Sequence, residues 1–299
     1  MAMRMRPISS AVLAVLLVAF PGMAFAQGGG TDEEVKKAIE RAVGSSISSS
    51  VAESLSRSIV SEGVSGMPTT TLFGSPFYNR TDGDFSFGSF KSDTGGLVLG
   101  GLFKLHDIVL LHAALSGAGT STKASALGTS TTIDSTFVET RLGADVIFLN
   151  TAPVKGWLTL EGGFSRFDTN KTDDVWSWRA GPSATLSVRG GPILFEPTVG
   201  FAFSNTFEDD DADTQTSFQA GFSLKYRGEK LRPQLNFVYS KVIGPSSVKD
   251  DGFISVGPEI LYAITPSILI GGSYSYGTSL NSGVDINSHT VTLEFRWIF

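Results

Sequence analysis

From about Asp84 onward, apolar and polar residues alternate along the chain, and the alternation is cleanest at Val291-Thr292-Leu293-Glu294-Phe295-Arg296-Trp297-Ile298-Phe299. A strand sends successive side chains to opposite faces. Val291, Leu293, Phe295, Trp297 and Phe299 therefore share one wholly apolar face, with Thr292, Glu294 and Arg296 behind it and Ile298 as the exception. The same one-sided pattern recurs upstream. Trp176, Trp178, Ala180, Pro182, Ala184, Leu186 and Val188 alternate with Ser177, Arg179, Gly181, Ser183, Thr185, Ser187 and Arg189. Ile193 to Phe203, Phe218 to Tyr226 and Ile254 to Ile264 repeat it. Twelve candidate strands emerge, starting near Phe85, Leu97, Ile108, Ile133, Trp157, Trp176, Ile193, Ser217, Leu235, Ile254, Ile268 and His289.

Several runs reach the roughly 9–11 residues that a tilted membrane strand requires, where soluble strands are usually about 5–6 residues long. The connections alternate in length. Leu105-His106-Asp107, Arg189-Gly190-Gly191, Arg227 to Lys230 and Thr265-Pro266-Ser267 are tight. Ser116 to Thr132, Asp168 to Asp174, Asn205 to Asp213, Gly244 to Gly252 and Leu280 to Asn287 are longer. Short periplasmic turns and long external loops are the rule for bacterial membrane barrels. Trp157, Trp176, Trp178, Trp297, Tyr239, Tyr262, Tyr274 and Tyr276 suit the aromatic girdles at the headgroup level. Pro182, Pro197 and Pro258 fall inside strands, where each removes a ladder hydrogen bond, so bulges are expected there. The predicted fold is all-β: a single twelve-stranded antiparallel transmembrane β-barrel over residues 81–299, preceded by a short N-terminal helix.

The start of the chain differs. Arg4 and Arg6 precede the apolar run Ala11 to Phe20, and Ala24-Phe25-Ala26 places small residues at a cleavage position. Residues 1–26 thus read as a secretory signal peptide cleaved near Ala26, and the run is too short to span a bilayer. Residues 27–80 read as a helical segment and linker, a candidate pore plug. Thr31-Asp32-Glu33-Glu34 resembles a capping box. Val35, Ile39, Val43, Ile47, Val51, Leu55 and Ile59 follow at spacing four, predicting a helix from Thr31 to Glu62 with a linker over 64–83. Gly44 to Ser50 is built of small residues, so the helix is thin enough to thread a narrow lumen. A periplasmic helix and a disordered segment are the alternatives.

Composition narrows the class. Glycine supplies 34 of 299 residues and phenylalanine 22, while charged residues are only 17%, as expected of aromatic strands joined by glycine-rich turns. Without cysteine there is no disulfide framework and no lipoprotein signal. The formal charge is −6, and −8 without Arg4 and Arg6, which argues against a nucleic-acid partner.

The stretch Ser92-Asp93-Thr94-Gly95-Gly96-Leu97-Val98-Leu99-Gly100-Gly101-Leu102-Phe103, the apolar strand Ile108 to Ser116 behind it and the ending Phe295 to Phe299 resemble the translocator domain of autotransporters. The resemblance covers about residues 75–299. It implies an outer-membrane location in a Gram-negative bacterium, a helix passing through the pore, and a barrel that displays or secretes an N-terminal passenger. It also implies contact with outer-membrane lipid and lipopolysaccharide, handling by periplasmic chaperones, and an ending read by the barrel-assembly machinery. Only about fifty residues separate Ala26 from the barrel, and they hold no repeats. The expectation is therefore a vestigial passenger with a surface-display or transport role. A small porin-like solute pore and a surface-loop adhesin are the alternatives. The oligomeric state is left open.

Alternation places Glu139, Arg141, Asp145, Glu161, Arg179, Arg189, Glu196, Lys225, Arg227, Glu259, Glu294 and Arg296 on the lumen face. Six are acidic and six basic, a balance that predicts internal ion pairs and no strong selectivity for either ion sign. The insertion signal is expected at Val291, Leu293, Phe295, Trp297 and Phe299. His106, His112 and His289 lie in no motif that joins a histidine to a nucleophilic serine, so no enzyme is expected and no catalytic residue is assigned. The acidic run Glu208 to Asp213 lacks the spaced ligands of a calcium loop, and neither metal nor cofactor is expected.

Overall fold

The computed structural model describes residues 60, 64, 70–85, 88–126, 129–169, 172–207, 214–243, 252–280 and 284–299. The expected signal peptide, most of the expected helix from Thr31 to Glu62 and the acidic run Glu208 to Asp213 lie outside them.

Twelve strands follow in order: β1 Thr70–Phe85, β2 Gly88–His106, β3 Val109–Ala126, β4 Thr129–Asn150, β5 Val154–Thr169, β6 Thr172–Gly190, β7 Ile193–Thr206, β8 Gln215–Tyr226, β9 Leu231–Val242, β10 Phe253–Thr265, β11 Ile268–Ser279 and β12 Val284–Ile298. Each pairs antiparallel with its sequence neighbours, and β1 pairs with β12 to close the ring. The Phe299 N–H donates to the Thr70 carbonyl at 2.9 Å at the seam. Closure leaves no sheet edge, so the ladder satisfies the backbone without help from solvent.

The outward face carries the apolar set. Leu142, Leu160 and Leu293 are 64, 64 and 63% exposed, and Leu97, Leu115, Phe164, Phe195, Ile260 and Trp297 stand out with them. A continuous belt of this kind is far larger than a water-facing surface tolerates; lipid is the solvent that suits it. The polar positions between them are buried on the inner face. Hydroxyl pairs bridge neighbouring strands there: Ser92 with Thr122 at 3.0 Å, Thr94 with Thr120 at 2.9 Å, and Thr185 with Thr198 at 2.9 Å.

The barrel begins at Thr70, not at 81, and the expected linker over 64–83 is largely strand. Phe85 is the last residue of β1 rather than the start of the first strand. β1 escapes pattern reading because both faces are mixed. Phe73 and Phe77 point inward and are buried, while Gly74, Pro76 and Arg80 lie on the outward side. The inward rings fit because β2 is glycine at the facing positions: a Cβ on Gly100 would stand 2.4 Å from Phe73, and one on Gly96 would stand 2.4 Å from Phe77.

The expected loop from Ser116 to Thr132 is also mostly strand, the upper parts of β3 and β4. Strands β1 to β6 run 16–22 residues, whereas β7 to β12 run 12–15. The extra length projects beyond the apolar belt on the side away from the short turns. Its outward residues, such as Lys91, Ser121, Lys123 and Asp134, are exposed and polar, so no apolar face marks it.

The bulges expected at Pro182, Pro197 and Pro258 are absent. Register is unchanged across each: Ala180↔Phe203 and Ser183↔Gly200 bracket Pro182, Thr185↔Thr198 and Val188↔Phe195 bracket Pro197, and Val256↔Tyr276 and Glu259↔Ser273 bracket Pro258. Each proline instead leaves a local gap in one ladder while pairing on its other side. The register shifts lie at strand ends, as between Lys104 and His106 and between Ala263 and Thr265. Ile298, the exception in the terminal alternation, is an inward residue. It packs with Ala263 and Leu269 at the short-turn end of the lumen.

Candidate functional site: the charged lumen

Lumen-facing charges gather into two networks in the half of the barrel nearer the short turns. The first spans β3, β4 and β5. Asp145, fully buried, accepts from Thr159 Oγ1 at 2.6 Å, and its other oxygen lies 2.9 Å from His112 Nδ1. His112 Nε2 lies 3.2 Å from Glu161 Oε2. Arg141 joins Glu161 and Glu139, with Nη1 to Glu161 Oε1 and Nε to Glu139 Oε1 both at 3.0 Å. Carboxylates only accept hydrogen bonds, so a ring held by one at each nitrogen fits the doubly protonated form. The imidazole has room because Gly143 faces it across the ladder; a Cβ there would stand 2.2 Å from Nε2.

The second network spans β6 to β10 and β12. Glu196 accepts from Ser187 at 3.0 Å and pairs with Lys225 Nζ at 2.8 Å. Arg296, with no exposed side-chain surface, bridges Glu294 and Glu259 and reaches the latter at 3.1 Å. Glu259 also accepts from the side-chain amides of Gln234 and Asn236. Buried charges persist when they are paired and hydrogen-bonded, and both networks meet that requirement largely with residues already placed on the lumen face by alternation. Alternation gave no sign of the neutral partners Thr159, Ser187, Gln234 and Asn236, since polar residues are common on any inward face.

Three predicted members lie elsewhere. Arg189 is exposed at the end of β6, where its Nε donates to the Gly191 carbonyl at 3.2 Å. Arg227 follows β8 in a short turn. Arg179 sits on the inner face of β6, opposite Gly163 of β5. At the same short-turn rim, Lys104 lies 2.7 Å from Asp107 and holds its carboxyl below the usual range by hydrogen bonding and charge. Trp157, expected in a girdle, instead faces the lumen and is 3% exposed. Trp176 and Trp297 do face outward, and Arg166 lies over the Trp176 ring at 5.8 Å.

Lys155 is a lumen residue that the sequence reading omitted. Its neighbour Gly156 faces the outward Phe148 and Leu186, so Lys155 points inward. Its ammonium donates to the carbonyl of Val64 at 2.7 Å. Val64 and Val60 are helical and 3% exposed. The part of the N-terminal segment that is described is therefore helical and packed against the short-turn end of the lumen wall.

A closed ring of twelve strands, an exposed apolar belt and a charged, buried lumen define a transmembrane β-barrel of the outer-membrane type. No protein-family model matches the chain, and no characterised protein matches it by sequence. Solved structures do resemble it. The translocator domain of the autotransporter NalP from Neisseria meningitidis superposes with a TM-score of 0.53 at 10% identity, over 84% of this chain and 98% of that one. The β domain of the Bordetella autotransporter BrkA gives 0.52 at 14% identity, over 77% and 100%. An outer-membrane channel from Pseudomonas putida F1 gives 0.56 at 13% identity, over 78% and 97%. The chain is thus an outer-membrane barrel with the fold of autotransporter translocators, a fold that the Pseudomonas putida outer-membrane channel shares.

Proposed function

We propose that this barrel anchors its own N-terminal segment in the outer membrane of a Gram-negative bacterium, with that segment occupying the periplasmic end of the lumen. The observation that carries the reading is the burial of Val60 and Val64 together with the Lys155–Val64 hydrogen bond. β1 starts at Thr70 at the short-turn end, six residues after Val64 in sequence, and in this reading the path of the chain leads from the lumen mouth into the wall. Display or transport of the N-terminal segment follows from that path. In this reading the segment is cleaved from its signal near Ala26. Periplasmic chaperones and the barrel-assembly machinery then act on the β12 ending, and the belt contacts lipid and lipopolysaccharide.

A non-enzymatic role belongs to the same reading. Both nitrogens of His112 are engaged by carboxylates, which supports a structural part for this ring rather than that of a general base.

Planar-bilayer conductance tests the occupied lumen. The full mature chain is expected to conduct little. A chain lacking residues 27–66 is expected to conduct more, and Lys155→Met in the full chain to flicker open. A full chain with a large, stable conductance that deletion leaves unchanged would support the open solute pore instead. Heat-modifiable migration on gels shows that each variant has closed its barrel.

A further inference from the structure

Two lysines oppose each other on the outer face of the barrel, above the apolar belt. Lys91 of β2 and Lys123 of β3 are direct partners across the ladder, and both are exposed. Their neighbours Ser92 and Thr122 point inward, are buried and share the 3.0 Å hydroxyl contact, so the register that sets the lysines side by side is held from within. Side chains so placed have Cβ atoms about 5 Å apart, and like charges there repel.

The surrounding acids are committed or stand aside. Asp82, across β1–β2 from Lys91, is held by Arg80 at 3.4 Å. Asp93, two residues below Lys91 on the same face, accepts from the Tyr78 hydroxyl. Asp134 is diagonal to Lys123 across β3–β4, opposite Ser121, and Asp84 lies farther along β1, opposite Asp285. Among the described residues neither lysine forms an ion pair with any of them. The tips of the two hairpins, Ser86-Phe87 and Leu127-Gly128, hold no acid.

Below the lysines the same two strands are bare. Gly95 and Gly119 are direct partners, and a Cβ on either would meet nothing within 4 Å. Tyr78 flanks this slot on β1 and Thr136 on β4, while Leu97 and Leu115 carry the outer face down into the belt. Lys91 is four residues above Gly95, about 13 Å along a strand. Tilt makes the difference in depth smaller, and a lysine stem lies back readily over apolar surface.

A pair of opposed cations thus stands over an unfilled slot at the upper boundary of the belt. The complement is a molecule with an anionic head and hydrocarbon chains. We propose that Lys91 and Lys123 hold a phosphate of an outer-leaflet glycolipid, with one of its acyl chains laid over Gly95 and Gly119. Lysine binds phosphate as a point charge, and a phosphate between the two ammonium groups replaces their repulsion by attraction to a shared anion. The proposal rests on the reading that the belt meets lipopolysaccharide; it makes no use of the occupied lumen.

Native mass spectrometry of the full mature chain, folded in nonionic detergent, tests the site with bisphosphorylated lipid A and its dephosphorylated form as probes. The wild type is expected to retain one phosphorylated lipid and to bind the dephosphorylated one more weakly. Lys91→Gln/Lys123→Gln should lower affinity for the phosphorylated lipid about thirtyfold, the contribution of two lysines at a membrane surface, and leave the dephosphorylated lipid unaffected. Lys91→Arg/Lys123→Arg should keep the binding, and Gly119→Leu, which fills the slot, should weaken both lipids. Lys241→Gln, at the external end of β9 and away from the slot, should change nothing. Heat-modifiable migration shows that each variant has closed its barrel. Equal binding of both lipids, an affinity that ignores the double Gln variant, or an equal loss on Lys241→Gln overturns the proposal. Release of the lipid by millimolar inorganic phosphate, with Gly119→Leu silent, overturns the lipid as ligand in favour of a free anion. A wild type that retains neither lipid sinks the lipopolysaccharide reading together with the proposal, whereas equal retention of both sinks the proposal alone. The occupied-lumen reading fails separately, through the deletion of residues 27–66.

Discussion

The hydroxyl of Ser75 donates to the main-chain carbonyl of Leu293 at 2.7 Å, across the seam where the barrel closes. Pro76 is the cause. The β1–β12 register runs Gly74↔Phe295 and Phe77↔Thr292, which sets Pro76 opposite Leu293. Proline has no N–H to give that carbonyl, and the preceding serine supplies the donor from the lumen side.

Ser75→Ala should therefore destabilise the barrel by about 1–3 kcal/mol, the cost of an unmet buried acceptor. Restoring an N–H with Ser75→Ala/Pro76→Ala should recover part of the loss. Urea unfolding from lipid vesicles measures both, and equal stability of the two variants would mean that the hydroxyl does not replace the missing donor.

Arg296 separates two buried carboxylates, Glu259 and Glu294. Arg296→Met removes the cation and leaves both, so a loss of about 3–5 kcal/mol is expected. Arg296→Met with Glu259→Gln and Glu294→Gln should recover much of it. Refolding yield, followed by heat-modifiable migration, reads the order of the variants.

Gly143 lies opposite His112, whose ring occupies the space a side chain would need. Gly143→Ala should displace the ring from Asp145 and Glu161 and cost about 1–3 kcal/mol through overpacking. His112→Ala in the same chain should remove the clash but leave the carboxylates unpaired, so stability should not return fully. Thermal unfolding in detergent compares the three proteins.

Leu160 and Glu161 are neighbours in sequence on opposite faces of β5, with Leu160 64% exposed on the outer belt. Leu160→Arg should cost about 2–4 kcal/mol if that belt lies near the bilayer midplane. Glu161→Gln should alter conductance more than membrane insertion. Insertion into vesicles and single-channel recording separate the two effects.

Patterning showed most of the wall because strand geometry and solvent act residue by residue. Wherever one face meets lipid, as at Val291 to Phe299 or Ile193 to Phe203, a period of two is written directly into the chain. It also assigned the inward side of Glu139, Arg141, Asp145, Glu161, Glu196, Lys225, Glu259, Glu294 and Arg296, since facing follows from parity. Where neither face meets lipid the signal vanishes. The upper parts of β3 and β4 stand above the apolar belt and read as a loop. β1 mixes glycine, proline and inward phenylalanine and reads as a linker.

What the amino-acid order determined alone was the all-β class, the facing of most wall residues and the apolar ending of β12, because each depends on neighbours along one chain. Only the tertiary structure decided which charges meet, that Trp157 turns inward, that Ser75 serves the carbonyl opposite Pro76, and that Lys155 holds Val64. Each of those depends on register between strands and on closure of the ring, which bring residues far apart in sequence within hydrogen-bonding distance. Alternation along a single strand carries no information about either.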